Sequence, residues 1–228
     1  MLNLYKRWIT GAIVGLTLPV ISIYAAEESV PNAPGHWSGT VTAGLMTWSD
    51  LRDLEPAAGG GFDSLGFVVE LAGHKHVARW GSADVLIGVD LGFSATQSDI
   101  PGSTENFTET GEHLTPSMKF RFGERSRRYL NLEAGLGWYR VKIAEYDCDS
   151  NNFDNDNFNN IVCTLIAKPY DEDSLGGYLG ITGGFGGWLI MGLKVHFANF
   201  GKVTGLGPDT GDLKGPIYIF SLGGAFGG

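Results

Sequence analysis

A period of two constrains this chain more than any other feature. Eight runs alternate apolar residues with small or polar ones: 37–45, 65–73, 85–93, 114–122, 130–138, 175–185, 189–197 and 217–226. Such alternation marks a β-strand whose two faces meet different surroundings. In the fourth run Leu114, Met118, Phe120 and Phe122 share one face with Pro116, and Thr115, Ser117, Lys119 and Arg121 share the other. In the seventh, Leu189, Met191, Leu193, Val195 and Phe197 oppose Ile190, Gly192, Lys194 and His196. The runs approach the roughly 9–11 residues that a tilted strand needs to cross a bilayer.

The two faces fix the orientation. One face is continuously apolar, while the other carries small residues and scattered charge. Small and charged side chains cannot fill a dry core, because buried unpaired charge is costly. A soluble sandwich is therefore the lesser alternative. With the apolar face toward lipid and the polar face toward a lumen, the pattern is satisfied. The connections alternate as well, long near 50–64, 97–113, 145–173 and 199–214, and short near 75–84, 123–129 and 185–188. Long loops on one side and short turns on the other organise an outer-membrane barrel. The expected class is all-β: an eight-stranded antiparallel transmembrane β-barrel, an up-and-down meander. A transmembrane helix over 175–193 competes weakly. Gly fills 8 of those 19 positions, and each costs a helix about 1 kcal/mol relative to Ala.

The amino terminus reads as an export signal over residues 1–25. Lys6 and Arg7 precede an apolar stretch, and Ala25 offers a small residue for cleavage. Residues 26–35 then form a periplasmic linker and 36–228 the barrel. The formal charge is −9, and losing Lys6 and Arg7 makes it −11. No basic face is available to neutralise phosphates, so nucleic acid is excluded as a partner. The two cysteines of an exported chain, Cys148 and Cys163, are expected to form a disulfide. Closing a loop of about 16 residues contributes roughly 3 kcal/mol in the chain-entropy model.

The inward faces gather Glu70, Asp90 and Glu133 against Lys119, Arg121 and Lys194, with His196 beside them. An eight-stranded barrel is just wide enough for its side chains to fill it. A paired charge network plugging the lumen is the expectation. Trp37, Trp80, Tyr129, Trp188 and Phe226 are expected as interfacial aromatics on the periplasmic rim.

"FGKVTG" (200–205), "TGDLKG" (210–215) and the alternating aromatic last run resemble the final hairpin of opacity/OmpA-type outer-membrane β-barrel proteins. The spacing of Tyr218, Leu222 and Phe226 is similar to the signal read by the barrel assembly machinery, although Gly227 and Gly228 follow where the family ends on the aromatic. The resemblance implies an outer-membrane location in a Gram-negative-type bacterium, with membrane lipid, lipopolysaccharide and the assembly machinery as partners. It implies little about activity, since barrels of this size serve many functions.

Signals of chemistry are sparse. "HFAN" (196–199) is similar to the His-x-Ser-Asn motif of outer-membrane lipid A deacylases. His196 and Asn199 match, but Ala198 stands where the nucleophilic Ser belongs. A palmitoyl-transfer reading would need a His and Ser together near the outer rim, and His113 and Ser117 are the nearest pair. His74 and His76 lack a third ligand in sequence and are expected at the periplasmic interface. Asp147, Asp149, Asp154 and Asp156 crowd one loop, yet an EF-hand needs Gly and Glu where Asn152 and Phe158 stand. No metal or cofactor is expected. The leading functional expectation is a non-catalytic structural or surface-interaction barrel, with loop 145–173 and its Phe153 and Phe158 as an extracellular contact. The alternatives are a narrow channel or lateral route for small apolar compounds, and a lipid A-modifying enzyme.

Overall fold

The computed structural model of the chain describes residues 35–48, 65–99, 105–125, 127–148, 163–165, 169–203 and 212–227. Eight long strands close a barrel: β1 (Trp37–Trp48), β2 (Leu65–Trp80), β3 (Ala83–Asp99), β4 (Glu105–Glu124), β5 (Arg128–Cys148), β7 (Tyr170–Phe185), β8 (Leu189–Ala198) and β11 (Pro216–Gly227). Three short pieces accompany them. β6 (Cys163–Leu165) pairs antiparallel with the end of β5, and β9 (Gly201–Lys202) pairs with β10 (Asp212–Leu213). Every barrel pairing is antiparallel between neighbours, and β1 closes the ring against β11 over Ser38↔Gly227 to Trp48↔Ile217.

The pleat places the faces as the alternation requires. Leu136, Leu175 and Leu179 point outward at 77, 85 and 62 % exposure. Glu70, Asp90, Lys119, Glu133, Lys194 and His196 point inward and are buried. An apolar exterior around a charged interior is the arrangement of a membrane-spanning barrel. Pro116 fits by interrupting one ladder. The β4–β5 register passes from Leu114↔Trp138 to Ser117↔Gly135, skipping Thr115 and Pro116, the latter having no N–H to donate.

The strands are longer than the apolar alternation indicated. β2 runs to Trp80, leaving a turn at Gly81 and Ser82 in place of a connection over 75–84. The expected loop 97–113 is largely ladder, with β3 and β4 paired continuously from Ala83↔Phe122 to Asp99↔Asn106. Above the lipid the outward face meets water and turns polar, so the outward apolar period ends although hydrogen bonding continues. Outward Arg140 and Lys142 on β5, facing Asp171 and Asp173 of β7, mark where the apolar belt ends.

The lumen is also less uniformly polar than expected. Trp48, Tyr139, Val141, Ile143, Tyr170, Phe200, Val203 and Leu213 form a buried apolar cluster at the loop end. Phe200 and Tyr170 are tied together there by a 2.7 Å bond from the Tyr170 hydroxyl to the Phe200 carbonyl. Met46, Val68 and Ile219 make a second cluster, and Tyr129, Ile190 and Ala225 a third near the short turns. Tyr129 is therefore corrected from an interfacial position to the interior. Its odd position on β5 points it inward, under the Arg121 guanidinium at 4.9 Å. Trp37, Trp80 and Trp188 lie outside at 62, 75 and 55 % exposure. Phe226 is half-buried and lies over Gly39.

Candidate functional site

Five strands deliver the charges that meet in mid-lumen: Glu70 from β2, Asp90 from β3, Lys119 from β4, Glu133 from β5 and Lys194 from β8. Lys194 Nζ lies 3.0 Å from Glu70 Oε1, 3.7 Å from Asp90 Oδ1 and 4.0 Å from Glu133 Oε2. Lys119 Nζ lies 3.2 Å from Glu133 Oε2 and 3.8 Å from Asp90 Oδ1. Each amine is shared among carboxylates, so three acids and two bases form one knot rather than isolated pairs.

Neutral groups complete the coordination that buried ions need. Ser117 and Tyr178 donate their hydroxyls to Asp90 Oδ2, the latter at 2.8 Å, and Thr182 donates to Glu133 Oε1. Asn131 Nδ2 donates to Thr182 at 2.9 Å, and Asn131 Oδ1 accepts from Arg121 Nε at 3.3 Å. Arg121 thus sits apart from the knot. No carboxylate lies within ion-pair distance of it among the described residues, and it rests on Asn131 and Tyr129. Beside it a cavity of about 20 Å³, lined in part by His76, Asp84, Arg121 and Arg125, has room for one water.

Histidines border the knot on two sides. His196 and His113 present Nε2 to Glu70 Oε1 at 3.8 and 3.6 Å. Tyr139 Oη lies 3.0 Å from His196 Nδ1, while the His196 ring stacks on Tyr178 and the His113 ring on Tyr139. On the other side His74 Nε2 lies 2.8 Å from Ser117 Oγ and 3.5 Å from Asp90 Oδ2. His76 Nε2 lies 2.8 Å from the Ala78 carbonyl and 3.5 Å from Asp84. His74 and His76 are therefore corrected from the periplasmic interface to the lumen, because β2 continues past Gly73 and carries both on its inward face. Sequence reasoning did not include His74, His113, Ser117, Tyr139 or Tyr178 in the network. For all but Tyr178 the available signal was parity, since each shares a strand face with a residue already identified as inward.

Neither enzymatic motif is assembled. Asn199 turns away from His196, accepting from the Gly201 amide at 3.0 Å through its side chain. Ser117, His74 and Asp90 are mutually close, but Ser117 gives its proton to Asp90 and His74 meets both through the same Nε2. A hydrolytic triad instead uses opposite ring nitrogens, one toward the Ser and one toward the Asp. His113 contacts Glu70 and Tyr139, whereas Ser117 contacts Asp90 and His74. Cys148 and Cys163 are direct register partners across β5 and β6, which sets their backbones within the span of a disulfide. Asp149, Asp154, Asp156, Phe153 and Phe158 lie outside the described residues, as do residues 1–34.

Glu109 lies opposite Ile143, one residue beyond Lys142 and so outside the apolar belt. It is buried, its Oε2 has no hydrogen-bond partner among the described residues, and burial pushes its carboxyl up to about 8. A raised carboxyl pKa means that the folded state holds a proton which the unfolded chain releases. Stability from this group is present below pH 4.5 and declines as pH rises toward 8. Glu109→Gln is expected to leave stability at pH 4 unchanged and to raise it above pH 8 by about 1–3 kcal/mol. Urea unfolding at the two pH values checks this, and equal effects at both would refute it.

No protein-family model matches the chain, and no curated protein does. Among solved structures it is similar to Ail, the attachment invasion locus protein of Yersinia pestis, crystallised with the heparin analogue sucrose octasulfate. The TM-score is 0.48 at 13 % identity, covering 85 % of this chain and 100 % of that one. It is also similar to the outer membrane protein OprG from Pseudomonas aeruginosa, with TM-score 0.45 at 15 % identity, covering 86 and 98 %. Neisserial surface protein A is similar as well, with TM-score 0.40 at 14 % identity and the same coverages.

Proposed function

We propose that this chain is an integral outer-membrane β-barrel whose lumen is closed by its own side chains and which acts through structure and surface contact rather than through solute flow or catalysis. One observation carries this reading: the Glu70, Asp90, Glu133, Lys119 and Lys194 knot spans the lumen with every member at 5 % exposure or less. An ion crossing here would have to break contacts that compensate buried charge, and doing so costs several kcal/mol per ion. The apolar cluster around Trp48, Tyr139 and Phe200 adds a second barrier toward the loops. The outward leucines supply the lipid-facing surface, while Trp37, Trp80 and Trp188 are suited to the headgroup level.

Surface contact is assigned to the extracellular side, where the long connections leave the rigid strands. A Cys148–Cys163 disulfide would fasten the base of the third connection. The export signal over 1–25 and assembly through the Tyr218, Leu222 and Phe226 signal belong to the same reading.

Reconstituting the purified barrel in planar bilayers tests the plug. The expected record shows no stable conductance step of porin size. A steady wide-pore conductance from the wild-type chain would overturn the reading.

A further inference from the structure

The topology brings together three metal-ligating side chains that the sequence keeps far apart. Glu70 on β2, His113 on β4 and His196 on β8 each offer one ligand atom, and these atoms lie within 4.8 Å of one another. All three residues are buried, at 3, 9 and 1 % exposure. Glu70 Oε2, His113 Nε2 and His196 Nε2 lack a hydrogen-bond partner among the described residues. Unpaired buried polar atoms are uncommon and call for a cause. Here the two unpaired Nε2 atoms converge on the Glu70 carboxylate, whose second oxygen is itself unpaired.

We propose that Glu70, His113 and His196 form a lumenal site for a divalent transition metal of the zinc class. Two imidazoles and a carboxylate are a common ligand set for such an ion, with a water completing four-coordination. In tetrahedral geometry with bonds of about 2.0–2.1 Å, ligand atoms stand roughly 3.4 Å apart. The separations of 3.6 and 3.8 Å from Glu70 Oε1 to the two Nε2 atoms require only modest contraction.

The surroundings suit the set. With Tyr139 Oη accepting from the Nδ1–H of His196, the Nε2 lone pair faces Glu70, the outer-shell arrangement that fixes a ligating imidazole. Gly92 makes room for the other ring, since a Cβ there would stand 2.0 Å from His113 Cε1. The opposing charge that touches the set is Lys194, 3.0 Å from Glu70 Oε1. It has Asp90 and Glu133 at 3.7 and 4.0 Å to turn toward, and Glu70 retains a second oxygen. With the imidazoles neutral, the three acids outnumber the two lysines by one, so the local field favours a cation. The site goes beyond the plugged-barrel reading and does not depend on its conductance outcome.

The test uses the full-length folded barrel in detergent, stripped with chelator and titrated with Zn(II) by calorimetry and with Co(II) by visible absorption. Heat-modifiable gel migration confirms folding of every variant. The expected result is one metal per barrel with the absorption of tetrahedral Co(II). His113→Gln and His196→Gln each should lower affinity by more than the roughly 10–100-fold typical of an outer-shell loss. Tyr139→Phe should fall within that range. The histidine variants keep a neutral polar side chain, so the charge knot stays intact. Absence of stoichiometric binding to the wild-type barrel would overturn the proposal. So would binding unchanged in both histidine variants, which would assign the metal to His36, His74 or His76 instead.

Discussion

Lys194→Met is expected to lower the unfolding free energy of the barrel by about 3–5 kcal/mol, the range for breaking a buried ion pair from one side. The substitution keeps the apolar stem and removes the amine that stands 3.0 Å from Glu70 and also serves Asp90 and Glu133. Three carboxylates would then face Lys119 alone. Glu70 would suffer most, because its other near neighbours are the two imidazoles at 3.6 and 3.8 Å. The double variant Glu70→Gln/Lys194→Met should recover most of the loss, since it removes one charge of each sign. Unfolding by urea in lipid vesicles, followed through tryptophan fluorescence, measures both. A single variant within about 0.5 kcal/mol of wild type, the ordinary range for a surface change, would mean that the knot does not bind the strands together. A double variant worse than the single would mean that Glu70 acts mainly through a different partner.

Much of this architecture was legible in the alternation, because lipid and lumen impose opposite demands on successive residues. Leu193, Lys194, Val195 and His196 on β8 show the mechanism: a one-residue slip would put an amine in lipid and a leucine against carboxylates. The signal failed where that contrast ends. Residues 105–113 of β4 and 74–80 of β2 are paired strand, but their exposed residues include Glu112, Lys75 and Arg79, so no apolar period marks them. Their inward residues, His113, His74 and His76, were consequently read as loop or interface. Tyr129 was misplaced for a related reason. An aromatic beside a short turn suits a headgroup girdle or a lumen floor equally well, and only its parity with Asn131 and Glu133 distinguishes them. The convergence of Glu70, His113 and His196 could not be read from spacing at all. It depends on strand tilt and on pairing across a closed ring, properties of the whole barrel rather than of any run.

Gly223→Val is expected to abolish the folded, heat-modifiable form, whereas Gly73→Val retains it. Valine is a favourable strand residue, so the contrast isolates sterics from propensity. At Gly223 a Cβ would stand 2.0 Å from the Val41 carbonyl oxygen and 2.6 Å from Thr42 Cα. Gly44, two registers along the same β1–β11 seam, is equally confined, with a Cβ 2.0 Å from the Phe220 carbonyl oxygen. At Gly73 a Cβ would meet nothing within 4 Å. A flexible side chain could swing aside, but a carbonyl held in a hydrogen-bonded ladder cannot. The cost should exceed the about 1–3 kcal/mol of ordinary overpacking. The seam makes the loss global, because β1 and β11 are the chain's terminal barrel strands and their pairing is what closes the ring. An open sheet would expose unpaired backbone to lipid, which no spanning structure tolerates. Gel migration before and after boiling reads the outcome directly for Gly223→Val, Gly44→Val and Gly73→Val. Wild-type yield of the folded band from either seam variant would show that the strands can separate locally without opening the barrel.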